Sequence, residues 1–230
     1  MPLAVYLALA ALAAVLWLTA GSWFFLALAG FGAAAAAQIK LEGAPQILIL
    51  VVLPAILAAP LVRRRAALLI AAVIAGLATT LPWLVWRSVH DIPSEFVLRD
   101  AIDPRYLAEH ADRIRPSAQA VAEAVGGRDW PFVVPLLLAL TIVGLVLERR
   151  ALWLLPAGVF FVCLGFFVWI YWSGSDPLDF WLPTSTYRVV DGALLAAAVM
   201  VPLMAERVAS LLAARRSARA RVDRPAGETR

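Results

Sequence analysis

Residues 1–39 contain no Asp, Glu, Lys, Arg or His. As one α-helix the run would be ~60 Å long, about twice the hydrocarbon thickness of a bilayer. It must fold back on itself, and Gly21-Ser22 is the turn signal where it does so. Further apolar stretches follow, so that spans read at about 3–19, 23–38, 45–61, 66–86, 131–147, 152–172 and 188–205, giving seven crossings. The second and third are short, and Pro45, Pro54 and Pro60 predict a kinked third. Composition excludes a soluble alternative. Of 230 residues 63% are hydrophobic and 16% charged, against roughly 45–50% and 25% in soluble domains. One core cannot hide that much apolar surface behind a polar exterior. The expected fold class is all-α: a multi-pass transmembrane helix bundle with an outer amphipathic helical loop.

The cationic residues give the sidedness. All but Lys40 are Arg, a bias that with abundant Ala points to a GC-rich genome. Arg63-Arg64-Arg65 joins spans three and four, Arg149-Arg150 joins five and six, and Arg207, Arg215, Arg216, Arg219, Arg221, Arg224 and Arg230 follow span seven. With seven crossings all three clusters fall on one side, which the positive-inside rule makes cytoplasmic. The expected organisation is a bundle over 1–206, with outer loops at 87–130 and 173–187, and a basic cytoplasmic tail at 207–230, disordered from about 216. The net charge of +4 is distributed at span ends rather than on one basic face, so nucleic acid is not an expected partner; the lipid bilayer is. Cys163 is the one cysteine, which excludes an intramolecular disulfide. No cofactor is identified; the two histidines stand 20 residues apart with no Cys/His cluster, which argues against a zinc enzyme, and a divalent metal stays open with no ligands assigned.

The 87–130 loop reads as helical. Asp103-Pro104 has the form of an N-cap with Pro at N1, and Leu107, Ala111, Ile114, Ala118, Val121 and Val125 recur at helical intervals. Pro116 is expected to divide it into two helices, and Gly126-Gly127 to end the second. The apolar stripe fits the membrane surface or the bundle; a solvated amphipathic linker has the same pattern.

Two outer segments carry candidate chemistry. In Gln38-Ile39-Lys40-Leu41-Glu42-Gly43 an ammonium near membrane depth suits a phosphate, and Glu42 can orient it. The alternative is a snorkelling pair at a helix end. In Thr184-Ser185-Thr186-Tyr187-Arg188 hydroxyls precede an Arg that opens the last span on the side opposite the other clusters. A guanidinium there suits a bidentate phosphate contact, or an ion pair with Asp191 on the same helix face.

Lys40, Glu42 and Gly43, then Pro82, Trp83, Trp86 and Arg87, then Asp179, Phe180, Thr184, Ser185 and Arg188, taken in that order, resemble the carboxyl-terminal half of bacterial GT-C membrane glycosyltransferases, in particular the protein-mannosyltransferase-like branch. The resemblance covers about residues 10–206. It implies transfer of a sugar from a polyprenyl-phosphate donor to an acceptor on the outer face of the bacterial cytoplasmic (inner) membrane. Lys40, Glu42, Thr184, Ser185 and Arg188 would then bind the lipid phosphate. Such enzymes place an acidic residue in the first outer loop; no acidic residue precedes Glu42 here, so the catalytic residue is unassigned. A truncated chain, completed by a separate polypeptide carrying the amino-terminal half, is the corresponding expectation. A small transporter or flippase, with Lys40, Glu42, Arg188 and Asp191 as coupling charges, is the reading from a different class, and a non-catalytic membrane protein is the third.

Overall fold

A computed structural model describes residues 2–40, 42–92, 98–127, 130–175 and 177–222. Among them every regular element is a helix. The first two, α1 (Pro2–Ala20) and α2 (Trp23–Ile39), are separated at Gly21, whose φ of 74° is left-handed. The site is also crowded: a Cβ on Gly21 would lie 2.7 Å from the Arg65 guanidinium. That guanidinium donates to the Leu18 and Thr19 carbonyls at 3.0 and 2.9 Å. It thereby satisfies acceptors that the end of α1 leaves open. The Trp17 indole donates in turn to the Arg65 carbonyl at 2.8 Å.

The next stretch runs through α3 (Gly43–Ile47), a π-helical turn (Leu48–Val52), α4 (Leu53–Ala78) and α5 (Leu81–Val89). Pro54 has no N–H to give the Leu50 carbonyl, and the wider turn lies immediately before it. Two residues after Pro60, Val62 leaves helical geometry at φ −139°, ψ 45°. Packing on either side of Val62 establishes a reversal. Gly43 abuts Ala36 and Leu3, Pro54 borders a cavity with Ala14 and Val15, and Arg65 reaches Leu18. Beyond it, Gly76 backs onto Gly30 and Ala34, and Gln38 donates to the Thr79 carbonyl at 2.8 Å. The chain therefore descends beside α1 and returns beside α2, so the apolar stretch Gly43–Val89 makes two passes.

Among the described residues four helices, Pro2–Ala20, Gly43–Val89, Leu154–Ser173 and Leu178–Ser217, are long and apolar enough to cross a membrane; Trp23–Ile39 and Val133–Glu148 are apolar but shorter. The fold is an all-α multi-pass bundle. The helix expected over 66–86 is interrupted: α4 stops at Ala78, because Pro82 cannot donate to the Ala78 carbonyl and the Thr79 and Thr80 hydroxyls bond back to Gly76 and Leu77, each at 2.7 Å. Trp83 and Trp86 therefore sit on the separate helix α5.

The segment expected as an outer loop contains α6 (Leu98–Ile102), α7 (Pro104–Glu109), a 3-10 turn (Ala111–Arg113) and α8 (Ile114–Val125). Asp103 caps α7, its carboxylate accepting from the Arg105 N–H at 2.9 Å. Pro116 does not divide the run. It is the third residue of α8, where an N–H has no helical acceptor, and the break lies at His110 to Arg113 instead. α8 buries Ser117, Val121 and Ala124, and Val125 packs partly buried beside them; of the expected stripe Val121 and Val125 thus face inward while Ile114 and Ala118 are exposed, because the helix packs on α10 and α11.

The second half holds α9 (Val133–Glu148), a 3-10 turn (Ala151–Trp153), α10 (Leu154–Ser173) and α11 (Leu178–Val222). Two expectations are corrected by α11. The second outer loop does not extend to 187, since helix begins at Leu178: the hydroxyls of Thr184, Ser185 and Thr186 bond to the Phe180, Trp181 and Leu182 carbonyls at 2.8, 2.7 and 2.8 Å, which meets their polar needs inside a helix. Nor does disorder begin at about 216. The Ala- and Arg-rich tail keeps the helix to Val222, and Arg207 and Arg215 tie it to Glu148 and the Leu147 carbonyl. Residues 223–230 lie outside the described residues.

Packing follows membrane rules. The interior of α1 is largely alanine (Ala4, Ala8, Ala10, Ala11, Ala13, Ala14), while Phe31, Ile74, Ile142, Val146 and Phe161 point outward. Small residues let backbones approach where lipid supplies no hydrophobic drive between helices. The bundle has two chemically distinct ends. Arg63-Arg64-Arg65, Arg150 and Arg207 gather at one, and Lys40, Glu42, α7, α8 and the start of α11 at the other.

Candidate functional site at the Lys40–Glu42 end of the bundle

The backbone first decides where Glu42 goes. A Cβ on Gly43 would lie 2.2 Å from the Ala36 carbonyl oxygen. Only glycine fits there, and the tight return from α2 to α3 sets Lys40 and Glu42 side by side, Nζ to carboxylate oxygen 3.9 Å, both partly exposed. Glu42 then borders a small cavity of about 10 Å³ whose walls include Tyr171 and Trp181, Ser185 and Val189. That is room for roughly one water.

Ser185 is buried, and its hydroxyl donates to the Trp181 carbonyl at 2.7 Å. The Tyr171 hydroxyl, 2.8 Å from the Ser185 oxygen, then donates to Ser185. Arg188 is exposed, on the same face of α11 as Thr184 one turn earlier. The fold thus places Glu42 and Ser185 at one cavity with Tyr171 and sets Lys40 beside Glu42, while Arg188 lies on the exposed face of α11. Thr184 lies on the exposed face and is not part of the cavity wall.

The loop helices close over this end. The Trp172 indole donates to the Leu107 carbonyl at 2.9 Å, the Tyr106 hydroxyl to the Gly174 carbonyl at 3.4 Å, and the Arg113 guanidinium to that same carbonyl. The Pro82–Arg87 motif stands apart: Trp83 and Trp86 are exposed and stack at 5.1 Å, Trp86 stacks on His90 at 4.5 Å, and Arg87 reaches back to the Ile92 carbonyl. Phe180 is exposed as well.

Two members of the site are missing from the sequence reading. Tyr171 sits in an aromatic, apolar run and carries no signal of its own there. Gln46 does carry one, as the polar residue between Pro45 and an unbroken apolar stretch. Its side chain is fully buried, and neither its amide nitrogen nor its oxygen has a hydrogen-bond partner. It lies one turn beyond Glu42, and a Cβ on Gly192 would come within 2.8 Å of its oxygen. An unmet buried amide costs about 1–3 kcal/mol, so the polar character begun at Glu42 continues one turn into the bundle. No group of three metal-ligating side chains converges among the described residues.

Chemically, this end offers an ammonium beside a carboxylate, two linked hydroxyls and, on the exposed face of α11, a guanidinium. Such a set suits an anion held at membrane depth. No protein family, curated protein or solved structure matches the chain.

Proposed function

We propose that the chain acts in glycosyl transfer at the outer face of a bacterial cytoplasmic membrane, binding a polyprenyl-phosphate sugar donor. The observation that carries this reading is that the Lys40–Glu42 pair, the Tyr171–Ser185 pair and the exposed Thr184–Arg188 face of α11 lie together at the end of the bundle opposite the Arg clusters. In the proposed site Arg188 takes the phosphate through its planar fork, and Thr184, on the same exposed face, lies beside it. Lys40 adds a second positive charge, held by Glu42. Ser185 acts differently from the sequence expectation: committed to Trp181 and Tyr171, it positions the wall of the site. Stabilising the charge of a departing phosphate is the physical basis of the assignment. With the positive-inside rule, the basic end and the carboxyl terminus lie in the cytoplasm.

Binding of a polyprenyl-phosphate mannose to the purified chain in lipid nanodiscs tests the proposal. Arg188→Lys keeps the charge and loses the fork; it is expected to weaken binding about tenfold, a step worth about 1.4 kcal/mol. Lys40→Ala is expected to weaken binding as well, and Arg115→Lys on exposed α8 to leave it unchanged. Equal affinity in wild type, Arg188→Ala and Lys40→Ala removes both residues from the site and favours a transporter.

A further inference from the structure

The basic end of the bundle has an opening of its own, a lipid-facing groove of about 820 Å³ between the third pass and α10. Leu53, Leu57 and Leu61 form one wall and Leu154, Gly158 and Val162 the other. Each set repeats at four-residue intervals, so each is a single stripe along its helix, and the groove runs ~12 Å along the bundle by helical rise. Its depth has a local cause, since a Cβ on Gly158 would meet nothing within 4 Å. Among the lining residues one is charged: Arg150. Arg63 and Arg64 are exposed just past Leu61. Of the other cations at this end, Arg65 is committed to the end of α1 and Arg207 to Glu148, while Arg149 is exposed beside Arg150.

We propose that this groove holds one anionic phospholipid, its phosphate on Arg150 and an acyl chain between the two stripes. The occupant follows from charge and length together. A free phosphate would meet Arg150 and leave the apolar walls empty, whereas a zwitterionic lipid fills the walls and gains little from a cation at the mouth. A basic pocket between membrane helices attracts anionic headgroups, each cation near the surface contributing a factor of about five. The site is separate from the outer-end cluster and stands whether or not that cluster binds a sugar donor.

Native mass spectrometry of the full chain, released from nanodiscs containing equal phosphatidylglycerol and phosphatidylcholine with matched acyl chains, reads the site directly. The wild type is expected to retain phosphatidylglycerol at least fivefold over phosphatidylcholine. Arg150→Gln is expected to reduce that preference about fivefold while total retained lipid stays near the wild-type level. Gly158→Trp and Val162→Trp each fill the groove and are expected to lose retained lipid of both kinds; using two variants separates blockage from misfolding of one. Val146→Trp, on the lipid-facing side of α9, is the matched substitution with no expected effect. Equal retention of the two lipids by the wild type, an unchanged preference in Arg150→Gln, or wild-type retention in both groove-filling variants overturns the proposal.

Discussion

The contact between α2 and α4 allows a graded test of the fold. At Gly76 an added Cβ would stand 2.5 Å from the Gly30 carbonyl oxygen and 3.2 Å from the Ala34 nitrogen. Both are backbone atoms, which cannot swing aside, so the helices must part by about 1 Å to restore normal contact. A gap of that size forfeits about a quarter to a half of the dispersion along the seam, and overpacking of this kind costs about 1–3 kcal/mol. Alanine returns ~1 kcal/mol of helix propensity over glycine. Gly76→Ala should therefore destabilise by about 0–2 kcal/mol, and by about 1–3 kcal/mol relative to an alanine placed where there is space. Gly30→Ala, with its nearest atom at 3.2 Å, should cost less than half as much. Gly165→Ala, with nothing within 4 Å, should be neutral or slightly stabilising. Reversible unfolding by SDS in mixed micelles, followed by far-UV circular dichroism, gives the three values. The reasoning fails if Gly76→Ala and Gly165→Ala agree within ~0.5 kcal/mol, since the close approach of the two backbones would then be absent.

Arg65→Gln removes charged donors from the Leu18 and Thr19 carbonyls and is expected to lower stability by about 1–2 kcal/mol in the same titration; Arg64→Gln, exposed beside it, should change it little. Tyr171→Phe deletes the hydrogen bond to Ser185 and should cost about 1 kcal/mol, while Ser185 keeps its bond to Trp181. Arg113→Gln unties the loop helices from Gly174. Amide exchange across residues 104–125 should rise by about tenfold, with the amides of α1 unchanged. Glu148→Gln weakens the hold on Arg207, and exchange should accelerate in α11 beyond residue 207 without any change in α9.

The parts of this fold that were legible in the sequence are those where one local rule decides. The uncharged run of 1–39 forces a turn, and Gly21-Ser22 makes it. Asp103 caps a helix, and Gly126-Gly127 ends one. Elsewhere a tertiary partner or a competing local bond decided, which the linear pattern does not contain. The face that α8 buries depends on α10 and α11. The hydroxyls at 184–186 read as loop, and they fold as helix because their own i−4 carbonyls satisfy them. Within the candidate site, Lys40, Glu42 and Arg188 stood out as charges beside apolar runs. Tyr171 did not, because an aromatic residue in an apolar helix looks the same whether it faces lipid or a buried serine. Gln46 was visible in the sequence, but its missing partners show only when the helices around it are placed.

The proposed site, the lipid groove and the sidedness all depend on one arrangement: Arg clusters at one end of the bundle, and the Lys40–Glu42 turn and α7–α8 at the other. Single cysteines at positions 64, 105, 123 and 216, introduced into a Cys163→Ala background, measure it through labelling of intact cells by a membrane-impermeant maleimide. Positions 105 and 123 are expected to label from outside, and positions 64 and 216 only after the membrane is opened. Labelling of 64 and 105 from the same side would contradict the account, because the two ends would then not be separated by the bilayer.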